Sequence, residues 1–202
     1  MAEKTEVATA WEWPSRRQWE NADVLVFFKR GNWTPAQTAE LEQFVGRGGG
    51  AVFIHWGCEA GDHADNLADV IGLASNSKLT RYRHGIVDLT FNGELFHPIT
   101  RGFEKTTFHD ESYWKLVGDP SNLQALATGE EENEAHPLFW TRELSSAGNH
   151  APGRIFVSIP GHYSWTFDDP LFRILLLRGI AWTAHEPVDR FNNVIEAGLQ
   201  LR

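Results

Sequence analysis

The sequence predicts a single α/β domain with a mostly parallel sheet flanked by helices. Two continuously apolar runs, at 23–28 and 51–55, are typical of strands buried on both faces. A segment with helical periodicity separates them, which is the pattern of a parallel crossover unit. The length of 202 residues suits one domain, and no repeat or linker divides the chain. We therefore treat 1–202 as one domain with its core at about 21–184.

The helix of this crossover unit is predicted to begin after Thr34. Pro35 suits the first helical position, and Gln37 stands where a capping box requires a side-chain acceptor. The glycine-rich stretch 46–50 then ends the helix, because glycine is a poor helix former.

The later elements are predicted from the same kinds of signal. A helix is expected at 62–74, and a long apolar helix is expected to start at Asp169 and run to Trp182. Between them lie, in order, shorter strands and turns at 78–128, a polar loop at 130–136, and strands at 137–141 and 154–160.

Composition narrows the expected partners and location. The net charge is −9 and Lys and Arg never form a block longer than a pair, so nucleic acid and membrane surfaces are not expected as partners. The single cysteine, Cys58, excludes an internal disulfide and a multi-cysteine zinc site. No signal peptide or long apolar stretch is visible, so the chain is expected to be soluble and cytoplasmic.

Two histidines follow predicted strands and are the main candidates for chemistry. His55 ends the second apolar run, and Gly57 behind it permits a sharp turn. His162 follows a strand and a Pro-Gly turn. Ligands bind outside the carboxyl ends of parallel strands, so the two imidazoles are expected to meet at one rim of the sheet. Either can serve as a general acid/base or a metal ligand, and the alternative is a histidine that merely bonds a neighbouring carbonyl.

A pair of carboxylates is the third candidate. Asp110 and Glu111 point to opposite sides of an extended segment, so at most one of them is expected to face a given pocket. A carboxylate beside two histidines can orient an imidazole, abstract a proton or complete a metal shell. The alternative is an acidic pair on a solvated turn.

Weaker signals suggest where a substrate would bind. Nine tryptophans are more than packing alone usually needs; most are expected to pack in the core or at its edge, and the others suit stacking on sugar rings. For 81–85 a surface turn is the favoured interpretation. Cys58 lacks the residue spacing of a nucleophile elbow, so a buried or incidental thiol is expected there. The candidate substrate-binding residues are Trp56, Arg83, His84, Asp110, Tyr113, Arg142, Tyr163 and Trp165.

Six segments occur in the order ADVLVFF, WTPAQTAELEQFVGRGGGAVFIH, FHPITRGF, DESYW, PLFWTR and GRIFVSIPGHYSWTFDDPLFRILLLRGIAW. This ordered set resembles the ThuA-like (trehalose-utilisation) family of the class I glutamine amidotransferase-like superfamily. The resemblance implies that fold, which is also called flavodoxin-like, and an association with disaccharide and keto-sugar metabolism. It also implies that His55, Glu111 and His162 are the catalytic residues.

Two departures from the wider superfamily affect these expectations. In amidotransferases a cysteine follows the strand matching AVFIH, where His55 stands here, and a glutamate follows two residues after the histidine that matches His162. Tyr163 and Ser164 follow instead, so glutaminase activity is not expected. Family members also normally begin with a further strand and helix. This sequence is expected to lack that unit, either by deletion or by a clipped reading frame, in which case a secretion signal could have gone with it. A missing first strand would leave a neighbouring strand edge unpaired, which would invite a homo-oligomer or pairing with a partner.

Four functional hypotheses remain at this point. The first is an enzyme, an isomerase or hydrolase of a disaccharide or keto-sugar, that uses histidine and carboxylate acid-base chemistry on a small-molecule carbohydrate. The second is a variant of the same site in which His55 and His162 bind a divalent metal. The third is a non-catalytic carbohydrate-binding or interaction module. A hydrolase dependent on Cys58 is the least favoured.

Overall fold

The computed structural model describes residues 5–31, 33–93, 96–146 and 151–194. Within these ranges the α-helices are α1 (Arg16–Asn21), α2 (Pro35–Gly46), α3 (Ala64–Ile71) and α4 (Pro170–Thr183). The strands are β1 (Val24–Phe27), β2 (Gly50–Ile54), β3 (Leu73–Ala74), β4 (Arg81–Phe91), β5 (Lys105–Trp114), β6 (Val117–Gly118), β7 (Gln124–Glu131), β8 (Glu134–Leu144) and β9 (Gly153–Ser158). No helix in the described ranges is long and apolar enough to cross a membrane.

Seven strands form the main sheet, in the order β1-β2-β9-β8-β7-β4-β5. The α/β fold class is confirmed, and β1, β2 and β9 pair in parallel as predicted for a crossover unit. The other four pairings are antiparallel, so the sheet is mixed, and the prediction of a mostly parallel sheet is correct for these three strands alone. The connections β7–β8 and β8–β9 are too short for a parallel crossover, which needs a dozen or more residues.

Both faces of the parallel part carry a helix. Gly153 in β9 lies directly against Val45 of α2, while Gly50 in β2 lies against Thr183 of α4. These glycines bring the strands so close to the helices that a methyl group would collide with backbone atoms. The prediction of helices flanking the sheet is therefore confirmed, and the hydrophobic core lies between the sheet and these helices.

The capping signals gave the helix starts correctly. The Thr34 side chain accepts from the Gln37 amide at 3.2 Å, and the Gln37 side chain accepts from the Thr34 amide at 3.0 Å, which completes the capping box of α2. Asp169 caps α4 by accepting from Leu171 N at 2.8 Å. The helix expected at 62–74 is shorter, because α3 is preceded by a 3₁₀ turn at Gly61–His63.

Two segments interpreted as turns or loops belong to strands. The segment 81–85 opens β4, and 130–136 forms the end of β7, a two-residue turn and the start of β8. The turn residues Glu132 and Asn133 both have positive φ, as a tight hairpin of this length requires. Polar side chains on both faces of these strand ends hid the alternation that marks a half-buried strand.

Candidate functional site

The two predicted histidines meet at the carboxyl ends of neighbouring parallel strands. His55 follows β2 directly and opens a 3₁₀ turn, with a left-handed φ of 48°. His162 follows β9 after Ile159, Pro160 and Gly161, and the glycine has a φ of 131°. His55 Nε2 lies 2.9 Å from His162 Nδ1. The chain reversals after the two strands thus turn both rings into one rim.

Glu111 joins the two imidazoles. Its Oε2 lies 3.0 Å from His55 Nε2 and 2.7 Å from His162 Nδ1. Glu111 belongs to β5, which is four strands away from β9 in the sheet. A flat sheet would separate these strands by about 19 Å, at a spacing of about 4.8 Å per strand. The contact is possible because the sheet curls and brings β5 over the ends of β2 and β9.

His84 extends the cluster to a third histidine. It pairs with Glu111 across β4 and β5, and its Nε2 lies 3.4 Å from the second carboxylate oxygen, Oε1. The His84 side chain is 47% exposed, whereas His55 is fully buried and His162 is 22% exposed. The structure therefore places His84 at the open side of the cluster, in a strand where the sequence had favoured a turn.

The hydrogen bonds of His55 define its tautomer. Nδ1 lies 2.7 Å from the carbonyl oxygen of Ile159, which can only accept, so Nδ1 carries the proton. In a neutral ring Nε2 is then an acceptor, and it faces Glu111, His162 and the hydroxyl of Tyr113 at 3.2 Å. The Tyr113 hydroxyl also lies 3.4 Å from Glu111 Oε2.

The surroundings set the charge of these groups. Burial acts to raise the pKa of Glu111, but the adjacent imidazoles of His55, His162 and His84 outweigh it, so the net shift lowers the pKa. Glu111 is therefore ionised at neutral pH. Burial raises the pKa of the Tyr113 hydroxyl, which stays protonated. Burial also raises the pKa of the Cys58 thiol to about 12, and its Sγ donates to the His55 carbonyl at 3.1 Å, so Cys58 is not poised as a nucleophile.

Asp110 supports the loop that carries His162. It is fully buried, and its Oδ1 accepts from the backbone amides of Glu111 at 2.7 Å, Gly161 at 3.1 Å and His162 at 3.0 Å. Its Oδ2 accepts from the hydroxyl of Thr166. Both carboxylates contact His162: Asp110 accepts from its backbone amide, and Glu111 lies against its ring. These partners give Asp110 a positioning role in place of the expected contact with substrate.

Aromatic rings border the cluster. Trp56 lies edge-on to His162, with ring centroids 5.2 Å apart. Tyr163 donates to or accepts from His84 Nδ1 at 2.8 Å and stacks on Trp165, with ring centroids 4.1 Å apart. Trp165 is 51% exposed and its indole donates to the His109 carbonyl at 2.8 Å, which fixes the ring at the rim.

The two predicted arginines are engaged elsewhere. Arg83 donates to Glu131 at 2.8 Å and to the Ile86 carbonyl at 2.7 Å. Arg142 donates to the carbonyls of Ala68 and Asp69 in α3, at 3.2 and 2.6 Å. Both guanidinium groups tie elements of the fold together, and neither makes a contact with the histidine cluster.

A family model described as trehalose utilisation, ThuA, matches residues 3–183. The chain belongs to the ThuA family. No curated protein matches the chain. The family assignment agrees with the resemblance seen in the six ordered segments.

Solved structures similar to this ThuA-family chain share its fold. A protein from Parabacteroides merdae ATCC 43184 named ThuA-like has 22% identity and a TM-score of 0.62, covering 82% of this chain and 71% of that one. A second ThuA-like protein, from Bacteroides uniformis ATCC 8492, has 17% identity and a TM-score of 0.62, covering 85% and 75%. The cytoplasmic protein STM1381 from Salmonella typhimurium LT2 has 18% identity and a TM-score of 0.50, covering 87% and 71%. At these identities the likeness concerns the fold alone.

Proposed function

We propose that this ThuA-family protein is an enzyme that acts on a small-molecule carbohydrate, as an isomerase or hydrolase of a disaccharide or keto-sugar. The observation that carries the proposal is the ionised Glu111, in direct contact with His55 and His162 at a rim of the sheet. Histidine and carboxylate pairs in this arrangement transfer protons in many enzyme classes.

The geometry supports different roles for the two rings. Glu111 engages Nδ1 of His162, which leaves Nε2 as the nitrogen that can meet a substrate. No described residue hydrogen-bonds this nitrogen. His55 is held by the Ile159 carbonyl and is fully buried, so it supports the cluster from beneath. His162 is therefore the proton-transfer group, and Glu111 orients it and stabilises its charged form.

This arrangement suits both proposed reactions. In an isomerisation, His162 Nε2 takes a proton from the carbon beside a sugar carbonyl and returns it to the former carbonyl carbon, while the hydroxyl proton of the first carbon passes to the former carbonyl oxygen. In a hydrolysis, the same nitrogen takes a proton from water as the water attacks the anomeric carbon; the glycosidic C–O bond breaks, and the protonated ring then gives this proton to the leaving oxygen. Trp165 and Trp56 border the cluster, and the apolar face of a sugar ring stacks well on indole. The family description, trehalose utilisation, supports a carbohydrate as substrate.

The test is turnover of disaccharides, with and without prior oxidation to the keto form, by the purified protein. We expect His162→Ala and Glu111→Gln to lower kcat/KM by at least about 100-fold, since general acid-base catalysis contributes about 10²–10⁴. His63→Gln is the control, because His63 lies in the 3₁₀ turn before α3 and outside the cluster. Circular dichroism checks that each variant is folded.

Two results would contradict the proposal. If His162→Ala turned over substrate as fast as the wild type, His162 could not be the proton-transfer group. Binding of a sugar by the wild-type protein without any product would instead favour the non-catalytic carbohydrate-binding module.

A further inference from the structure

We propose that the cluster binds one divalent transition-metal ion through His55 Nε2, Glu111 Oε2 and His162 Nδ1. The inference rests on the proposed function for its catalytic meaning, because the ion would act as a Lewis acid at the same site. With an ion on Nδ1, the His162 ring carries its proton on Nε2, so in the metal-bound form it donates a proton in place of accepting one. The binding itself depends only on the three side chains.

The orientation of the three ligand atoms is the first reason. Because His55 Nδ1 donates to the Ile159 carbonyl, Nε2 is the ring nitrogen that faces Glu111 Oε2, at 3.0 Å. His162 Nδ1 lies 2.7 Å from the same carboxylate oxygen. The three atoms that would bind an ion therefore already face one another.

The spacing of the three atoms is the second reason. They lie 2.7, 2.9 and 3.0 Å apart. Two ligands at about 2.1 Å from an ion are about 3.0 Å apart at adjacent octahedral positions and about 3.4 Å apart in a tetrahedron. The triangle thus fits one face of an octahedron. This leaves the opposite face for water or substrate.

The supports around the ligands are the third reason. A metal-binding histidine usually donates its other ring nitrogen to a carbonyl or carboxylate, and His55 does so with Ile159. Asp110 accepts from the backbone amide of His162 at 3.0 Å and fixes the loop that carries this ligand. Glu111 lies within β5, His55 follows β2 directly, and His162 lies in the loop after β9 that Asp110 holds, so the fold places all three ligands before an ion binds.

The ligand chemistry selects the class of ion. Two imidazoles and one carboxylate suit Zn²⁺, Fe²⁺ and related transition metals, whereas Mg²⁺ and Ca²⁺ prefer oxygen ligands. The ion would polarise a carbonyl or hydroxyl oxygen of the sugar beside His84, on the exposed side of the cluster.

The experiment is calorimetric titration of the full chain, first stripped with a chelator and desalted. We expect ZnCl₂ to bind one ion per chain with a Kd in the micromolar range or below, and MgCl₂ to give no signal. His162→Ala and Glu111→Gln should each weaken Zn²⁺ binding by about 100-fold or more, while His63→Gln binds as the wild type does. Thermal melting with Zn²⁺ provides a second readout, since an ion that binds the folded chain raises Tm.

The outcomes separate the ion from the proposed reaction. A stoichiometry far below one, or equal affinity in wild type and Glu111→Gln, overturns the metal site even if His162→Ala has lost turnover. One bound ion that both ligand variants lose supports the site even if no sugar is turned over.

Discussion

Replacement of Asp110 tests whether the loop that carries His162 is held by one buried carboxylate. Four donors depend on this side chain: three backbone amides and the Thr166 hydroxyl. In Asp110→Ala all four lose their acceptor. In Asp110→Asn the remaining oxygen can still accept from the amides, and Thr166 can reverse its role and accept from the new amide nitrogen.

The hydrogen-bond count gives the expected size of each effect. A buried donor without a partner costs about 1–3 kcal/mol, and some of the four will find water in the space that the side chain leaves. We therefore expect Asp110→Ala to lower the free energy of unfolding by about 3–5 kcal/mol. Asp110→Asn keeps most bonds but loses the charge, so we expect a loss of about 1 kcal/mol.

Urea unfolding followed by circular dichroism measures both values. Asp88→Asn is the matched control, since Asp88 is exposed on β4 and accepts a single bond, from the Thr107 hydroxyl at 2.7 Å. It should change the free energy of unfolding by less than about 0.5 kcal/mol. If Asp110→Ala were as mild as this control, the loop would not depend on the carboxylate and its assigned positioning role would be refuted.

Three further predictions concern stability alone. Thr34→Ala removes the capping box with Gln37 and should cost about 1 kcal/mol in urea unfolding, so an unchanged midpoint would contradict the capping assignment. Gly153→Ala places a methyl against the Val45 carbonyl and should cost about 3 kcal/mol in the same assay; a smaller loss means that α2 can move away. Burial lowers the pKa of His97 to about 4, so the unfolded chain binds a proton that the folded chain does not. Stability should fall, by at most about 3 kcal/mol, as pH drops from about 6.5 to about 4, and His97→Asn should flatten this slope in unfolding curves across that range.

Local signals in the sequence located most of the parallel half of the fold. The capping box at Thr34 and Gln37 and the cap at Asp169 act within a few residues, so they can be identified without tertiary contacts. The positions of His55 and His162 followed from the rule that parallel strands end at the same edge.

The antiparallel half was harder to predict for a physical reason. The order of β8, β7, β4 and β5 and the curl that brings Glu111 to the histidines depend on pairings between residues distant in sequence. The proximity of His84 follows from its cross-strand pairing with Glu111, which could have been proposed only after 81–85 was assigned to a strand. Asp110 and Arg142 are residue types that often bind ligands, but here they form hydrogen bonds with backbone groups distant in sequence. No sequence pattern predicts these backbone contacts.

The irregularity in β7 bears on how the site keeps its dimensions. The register of β7 against β8 shifts between Ala125 and Ala127 and again between Ala127 and Thr128, and irregularities of this kind bend a strand and increase its twist. The gap between Glu111 and the histidines is set by the total bend over the intervening strands. Residues of β7 that make no contact with the imidazoles therefore influence the distance between Glu111 and the histidines. A change that straightens β7 would increase this distance.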